Sequence, residues 1–334
     1  MEVLLDPVSR STAAVAAVDL DTRSRNVSLA RDIVRRAFSS KRAREARFLF
    51  KKIDSTLRGH LRAELAALAG VLRQRQPIFF CPAFPAQGRT VREGRLLLRG
   101  KASSEDLRSL LSAAGLPATS IDLRTVRGDR LAEAITDGWR IGARAFVFDA
   151  LSDADLDVIA RVGIRIKPRP VFVGAAGLAR ALARRFAPEP ARRIPRAELR
   201  PILTAVGSAN AVSVRQANAL SRSQVPGPAD LLVQIQWSRT PVASDIAFVR
   251  RLGRRLAREV PQAHYVLTGG ETARAVLTAR GIRTLRLLGE VLPGIPLGEA
   301  PDGTRVCTKA GGFGQDDALI RCVARLRQDM KDRR

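Results

Sequence analysis

The sequence predicts an α/β protein built from two α/β domains that face each other across a cleft. Three observations carry that expectation. Short β-rich runs alternate with amphipathic helical periods, the pattern of a mainly parallel sheet with helical crossovers. A proline- and charge-rich stretch, Ala187-Pro188-Glu189-Pro190-Ala191-Arg192-Arg193-Ile194-Pro195, interrupts the series and reads as a linker. The length, 334 residues, suits two domains better than one core. The boundaries follow as residues 1–190 and 200–334, and clefts between domains are where ligands tend to bind.

In order along the chain, strands are expected at Ala13–Val18, Phe48–Lys51, Ile78–Cys81, Ala145–Asp149 and Pro170–Val173. Leu57, Leu61, Leu65 and Leu68 share one face of a helix between the second and third. After the linker come strands at Ile202–Val206, Leu231–Ile235, Tyr265–Thr268, Leu285–Leu288 and Arg305–Lys309, with a closing helix from about Asp316. No solenoid-length repeat and no low-complexity tail is present.

Composition narrows the function classes. Hydrophobic residues make up 46% of the chain, as in ordinary globular proteins. No apolar run approaches the roughly 20 residues of a bilayer span. Glu2 and Asp6 stand where a secretory signal carries positive charge, so a cytoplasmic location with no membrane association is expected. Cys81, Cys307 and Cys322 are too few and too scattered for a structural metal site, and none is expected. The formal net charge of +26 raises nucleic-acid binding as an alternative. That reading needs basic residues gathered on one element among aromatics. Here arginine is spread over nearly every helix and aromatics are 4%, so no nucleic-acid partner is expected. A basic surface equally attracts anionic small molecules.

Two motifs leave strands in the first half. Lys51-Lys52-Ile53-Asp54-Ser55-Thr56-Leu57-Arg58-Gly59-His60 spans a strand-to-helix turn, where free N–H groups favour anions. Ser55 and Thr56 are placed to cap the helix or bind a ligand, and Arg58 offers a fork for a carboxylate or phosphate. Cys81-Pro82-Ala83-Phe84-Pro85-Ala86-Gln87-Gly88-Arg89-Thr90 supplies polar contacts from Gln87, Arg89 and Thr90, with Gly88 permitting close approach. The second half has three glycine-marked turns after strands: Gly207-Ser208, Gly269-Gly270-Glu271-Thr272, and Lys309-Ala310-Gly311-Gly312-Phe313-Gly314. Such turns let backbone amides cradle phosphates, although none is a Walker A loop or a G-x-G-x-x-G run. With only His60 and His264 available, chemistry rests on carboxylates, hydroxyls, Arg and Lys, which fits phosphoryl transfer.

These segments, together with Val173-Gly174-Ala175-Ala176-Gly177-Leu178-Ala179 and Gly289-Glu290-Val291-Leu292-Pro293-Gly294-Ile295-Pro296, resemble the four-carbon acid sugar kinase family in family order. The resemblance implies a sugar-acid-binding N-terminal domain and a nucleotide-binding C-terminal domain. It implies ATP with Mg²⁺, and phosphorylation of threonate, erythronate or 3-oxo-tetronate at the terminal hydroxyl. Asp54, Arg58 and Lys52 would carry catalysis, with Asp54 orienting or deprotonating the hydroxyl. Arg25, Ser55, Thr56, Gln87 and Arg89 would bind the acid, Arg25 through its carboxylate. Ser208, Gly269, Gly270, Glu271, Thr272, Gly311, Gly312 and Gly314 would bind ATP. Oligomeric state stays open, a homodimer among the options.

The chain departs from the family at its start, where an Ala-Asp-Asp-x-Thr-Gly-Ala type motif is missing and Asp6 is a poor substitute. Either the start lies too late, or a strand and its carboxylates are lost. The alternative reading is then an impaired remnant that binds sugar acid or nucleotide without turnover. Ser213 stands where relatives tend to carry Thr, and Ala175 where Ser is common.

Overall fold

A computed structural model describes residues 1–5, 11–23, 25–72, 76–186, 194–237 and 245–331. Asp6, Ser24 and most of the expected linker lie outside them. The chain divides into two compact units, Leu20–Arg192 and Met1–Asp19 with Arg193–Arg334.

Two short strands come first, β1 (Glu2–Leu4) and β2 (Ala16–Val18). Then follow α1 (Val27–Phe38), α2 (Lys41–Glu45), β3 (Leu49–Lys52), α3 (Leu61–Leu72) and β4 (Ile78–Cys81). An antiparallel excursion, β5 (Arg89–Arg92), β6 (Arg95–Leu98) and β7 (Lys101–Asp106), precedes α4 (Leu107–Ser112) and β8 (Ala118–Ile121). The unit closes with α5 (Leu123–Arg127), α6 (Leu131–Arg140), β9 (Ala145–Phe148), α7 (Asp153–Gly163), β10 (Val171–Gly174) and α8 (Ala176–Arg185).

Its main sheet has the order β3-β10-β4-β9-β8 with all pairs parallel. The three inner strands β10, β4 and β9 are fully buried, so they read as continuous apolar runs. Phe79 is the centre of the packing, with ring centroids 4.8 Å from Phe148, 5.7 Å from Phe172 and 6.1 Å from Phe146. Helix α3 lays Leu61, Leu65, Leu68 and Leu72 on that core. Leu57, expected on the same face, lies instead in the turn before the helix at φ 60°, and only its side chain reaches the core. The Asp149 carboxylate accepts the N–H groups of Glu93 (2.8 Å) and Gly94 (3.0 Å), fastening the β5–β6 turn over the end of β9.

The second unit comprises β11 (Ile202–Val206), α9 (Ala211–Ser221), β12 (Leu231–Gln234), α10 (Asp245–Glu259), β13 (His264–Thr268) and α11 (Gly270–Ala279). Strands β14 (Thr284–Leu292), β15 (Ile295–Glu299) and β16 (Arg305–Lys309) lead to α12 (Ala318–Met330). Its sheet runs β12-β11-β13-β16-β15-β14-β1-β2, with the first four strands parallel.

The opening residues, grouped by sequence with 1–190, pair in this second sheet. Strand β1 lies antiparallel to β14, Glu2 opposite Arg286, and β2 extends the sheet parallel to β1. Leu4 is fully buried, and Val3 and Leu5 pack on the core around Leu285 and Tyr265. The edge of β14 and this apolar surface account for the pairing; sequence proximity does not.

Candidate active site

In the first unit, the loops after β3, β10 and β4 are neighbours, because β10 lies between the other two strands. The Ile53 N–H donates to Gly174 O at 2.9 Å. A Cβ on Gly174 would stand 2.5 Å from Cys81 O, and one on Gly177 would stand 2.5 Å from Ala83 O. Both glycines are therefore required by backbone packing at this strand edge.

The turn after β3 is organised by Asp54. Its Oδ1 accepts from the Thr56 N–H (2.8 Å), the Thr56 hydroxyl (2.6 Å) and Arg58 Nε (3.3 Å), while Oδ2 accepts from Arg58 Nη2 at 3.0 Å. Thr56 thus serves the turn, and neither Ser55 nor Thr56 caps the helix, which begins only at Leu61. The Ser55 hydroxyl makes no hydrogen bond among the described residues. Burial alone would raise the Asp54 carboxyl; the bonds from Thr56 and Arg58 outweigh it and hold the carboxyl well below its usual range. A carboxylate so stabilised stays ionised and is a weak proton acceptor. Leu57 at φ 60° is a strained position for a branched side chain, sustained by this grip on both sides.

A second cationic segment docks on the turn. His60 Nε2 donates to Arg25 O at 2.7 Å, and Arg23 Nη1 lies 3.8 Å from Asp54 Oδ2. The Arg25 guanidinium is itself fixed by Asp21 Oδ2 at 2.9 Å. Arg23 and Arg58 thereby stand at Asp54, and the Arg25 segment is tied to the same turn through His60. Lys52 Nζ donates to Ile53 O at 2.9 Å beside them, while its neighbour Lys51 turns inward to a buried ion pair with Glu64.

In the loop after β4, Arg89 donates to the carbonyl of Gln87 and, at 3.3 Å, to its side-chain Oε1. Gln87 and Arg89 therefore stand together. Gly88 adopts φ 67° and is approached by Arg99, whose Cγ would lie 3.3 Å from an added Cβ. Its glycine is explained by the turn.

In the second unit, the chain leaves β11 toward β12 on one side and returns to β13 on the other. The carboxyl ends of β11 and β13 thus form a topological switch point, the usual ligand crevice of an open parallel sheet. All three glycine turns meet there. The Gly207 N–H donates to Thr268 O (3.1 Å) and the Gly269 N–H to Lys309 O (2.9 Å). A Cβ on Gly207 would stand 2.0 Å from Thr272 Oγ1, and one on Gly311 would stand 2.1 Å from Ser208 Oγ. Gly269, at φ 97°, turns the chain into α11. By contrast a Cβ on Gly270 would meet nothing within 4 Å, so packing does not explain that glycine. The Glu271 carboxylate is directed to Arg250 on α10, 3.7 Å away.

Two residues here escape a sequence reading. Lys309 is buried at the end of β16 and donates to Ala310 O (3.0 Å), Gly311 O (3.0 Å), Phe313 O (3.2 Å) and Ser213 Oγ (3.4 Å). Burial lowers its ammonium to about 8. Trp237, just beyond β12, donates its indole N–H to Gly207 O at 3.2 Å. Nothing in its sequence surroundings signals that contact. His264 is structural, its Nε2 donating to Glu198 O (2.9 Å) and its Nδ1 accepting the Arg305 N–H (3.0 Å).

Comparison with known proteins gives these two regions a context. A family model described as a sugar-binding N-terminal domain matches residues 2–182, and one described as a nucleotide-binding C-terminal domain matches residues 234–319. The chain is 36% identical to a D-threonate kinase of Cupriavidus necator, over 92% of this chain and 87% of that one. It is 33% identical to a D-threonate kinase of Bordetella bronchiseptica, over 98% and 89%. A 3-oxo-tetronate kinase of Burkholderia multivorans matches at 24% identity, over 74% and 71%. Among solved structures, a Salmonella typhimurium LT2 protein described as a tRNA synthase superposes with a TM-score of 0.78 at 21% identity, covering 96% of this chain and 92% of that one, which shows the shared fold. With both family regions matched in order, and relatives above 30% identity spanning nearly the whole chain, this protein belongs to the four-carbon acid sugar kinase family.

Proposed function

We propose that this chain transfers the γ-phosphoryl group of ATP to the terminal hydroxyl of a four-carbon sugar acid, with D-threonate as the first candidate. The observation that carries the reading is the meeting of three glycine turns at the β11–β13 switch point, with a glycine at 270 that packing does not require. Relatives called D-threonate kinases match at 30–36% identity against 24–26% for those called 3-oxo-tetronate kinases, which supports D-threonate over the oxidised acid.

In this reading Ser208 and the amides of the Gly269–Thr272 and Gly311–Gly314 turns hold the nucleotide phosphates. Glu271 acts through Arg250 and the α10–α11 contact. In the first unit Arg25 takes the sugar carboxylate, with Ser55, Gln87 and Arg89 binding its hydroxyls. Arg58 and Lys52 offset negative charge during transfer. Thr56 acts through the turn it stabilises.

Phosphoryl transfer passes through a loose transition state, so the protein mainly positions reactants and offsets charge. Asp54 fits the orienting role: its ionised carboxylate can accept a hydrogen bond from the acceptor hydroxyl, and its low basicity argues against early deprotonation. Mg²⁺ enters with the nucleotide as Mg·ATP. Among the described residues no group of three or more His, Cys, Asp or Glu side chains converges to hold a metal alone, and Mg²⁺ commonly relies on phosphate oxygens.

The experiment is ADP release with Mg·ATP and a panel of D- and L-threonate, D- and L-erythronate and the 3-oxo acids. Release dependent on D-threonate supports the reading. Binding of acid and nucleotide by folded protein with no ADP from any of them would favour a binding protein without turnover.

A further inference from the structure

Four carbonyl groups of the Lys309–Gly314 turn, those of Ala310, Gly311, Phe313 and Gly314, are held by Lys309 and by side chains of α9. Lys309 Nζ takes Ala310 O, Gly311 O and Phe313 O; the Ser213 hydroxyl also donates to Gly311 O at 2.7 Å. Gln216 Nε2 donates to Phe313 O (3.0 Å), Gly314 O (3.2 Å) and Gln315 O (2.7 Å). In a planar trans peptide the carbonyl of one residue and the N–H of the next point in opposite directions. Drawing the carbonyls of Ala310, Gly311 and Phe313 inward therefore turns the amides of Gly311, Gly312 and Gly314 outward. Among the described residues the Gly311 and Gly312 amides donate to nothing within the protein. Successive amides facing one way form an anion-binding nest.

We propose that Lys309 is the positioning residue of the nucleotide site: its buried ammonium gathers these carbonyls and thereby aims the glycine amides at the phosphates of ATP, without touching the nucleotide itself. The proposal rests on the nucleotide reading above and adds a regulation to it. A neutral amine donates fewer and weaker hydrogen bonds than an ammonium, so loss of the proton loosens the turn. Burial already favours the neutral form, bringing the change to about pH 8. Among the described residues, the uncharged Ser213 hydroxyl on α9 faces Lys309, the uncharged Gln216 shares the Phe313 carbonyl with it, and the Cys322 thiol on α12 is the one titratable group whose charge acts on it. Nucleotide affinity should therefore fall in mildly alkaline solution through Lys309, which takes no part in the sugar-acid site.

The test is calorimetric titration of the full chain with Mg·ATP from pH 7 to 10, and separately with D-threonate. For the wild type, Kd for ATP is expected to be level near pH 7 and to rise toward about tenfold per pH unit well above pH 8. The D-threonate titrations should give the same pH profile for the wild type and Lys309→Met, because the one acid-site amine whose ammonium burial lowers, Lys52, is unchanged between them. Lys309→Met should bind ATP at least about tenfold more weakly at pH 7 with no alkaline slope, raise KM for ATP with kcat changed less than about threefold, and speed amide exchange across residues 310–315 without nucleotide. Cys322→Ala should keep the wild-type slope, which separates the lysine from its one titratable neighbour. If Lys309→Met does not fold, the wild-type and Cys322→Ala profiles still decide. A wild-type ATP affinity that is flat to pH 10, a slope lost in Cys322→Ala, or a folded Lys309→Met with wild-type affinity overturns the proposal. No ATP binding by the wild type at pH 7 overturns the nucleotide reading and this proposal with it.

Discussion

His60 Nε2 donates to the carbonyl oxygen of Arg25 at 2.7 Å, joining residues 35 apart in sequence. The histidine leaves the turn that Asp54 organises, so this bond fixes the arginine segment to the carboxylate turn. His60→Ala should weaken that attachment by about 1 kcal/mol, the ordinary worth of one hydrogen bond. The expected kinetic result is a roughly fivefold rise in KM for the sugar acid with KM for ATP unchanged. Steady-state kinetics with each substrate varied in turn would check it; a change confined to ATP would remove His60 from the acid site.

Asp54 makes four hydrogen bonds within its turn, and Asn would keep the shape but lose the charge that holds Arg58 and Arg23. Asp54→Asn should lower kcat about a hundredfold through misplacement of the acceptor hydroxyl, with the Kd for ATP altered less than about twofold. Wild-type turnover in the variant would end the assignment of Asp54 to the chemistry.

The pH behaviour of Asp54 follows from the direction of its shift. Its folded-state pKa lies below the ordinary 3.8. Its ionic contribution to stability is thus fully present above about pH 4 and is lost as pH falls through the lower folded value. Measured as kcat/KM for the sugar acid, activity should show no acid limb from this group between pH 5 and 7.5. A limb near pH 6 that disappears in Asp54→Asn would show a raised carboxyl acting as base.

The glycines of the second unit separate packing from ligand approach. Gly311→Ala forces a Cβ to 2.1 Å from Ser208 Oγ, so it should cost about 1–3 kcal/mol of stability as well as ATP affinity. Gly270→Ala meets nothing within 4 Å, so its stability should change by less than about 0.5 kcal/mol. If phosphate occupies that space, ATP binding should weaken about tenfold all the same. Thermal unfolding and ATP titration of both variants distinguish the cases; unchanged affinity in Gly270→Ala would place the phosphates elsewhere.

Much of this arrangement is legible in the sequence because it is local. Strands Ile78–Cys81 and Ile202–Val206 fall where apolar runs end at proline or glycine, and Arg305–Lys309 stands just before the Gly311-Gly312 pair. The glycine turns announce themselves through their spacing after strands. What is not legible depends on partners distant in the chain. Leu57 keeps helical spacing with Leu61, but the bonds to Asp54 hold it in a strained turn. Val3 and Leu4 are ordinary strand residues whose partner, β14, begins only at Thr284. Lys309 reads as a strand-end lysine until the carbonyls folding over it are seen.

The most direct test of the central claim is phosphorus and carbon NMR of the products formed by this chain from Mg·ATP and D-threonate. The account expects one equivalent of ADP for each phosphomonoester, with the phosphate coupled to carbon four of the acid. Absence of any phosphorylated acid from folded protein, whether or not ADP forms, would contradict it.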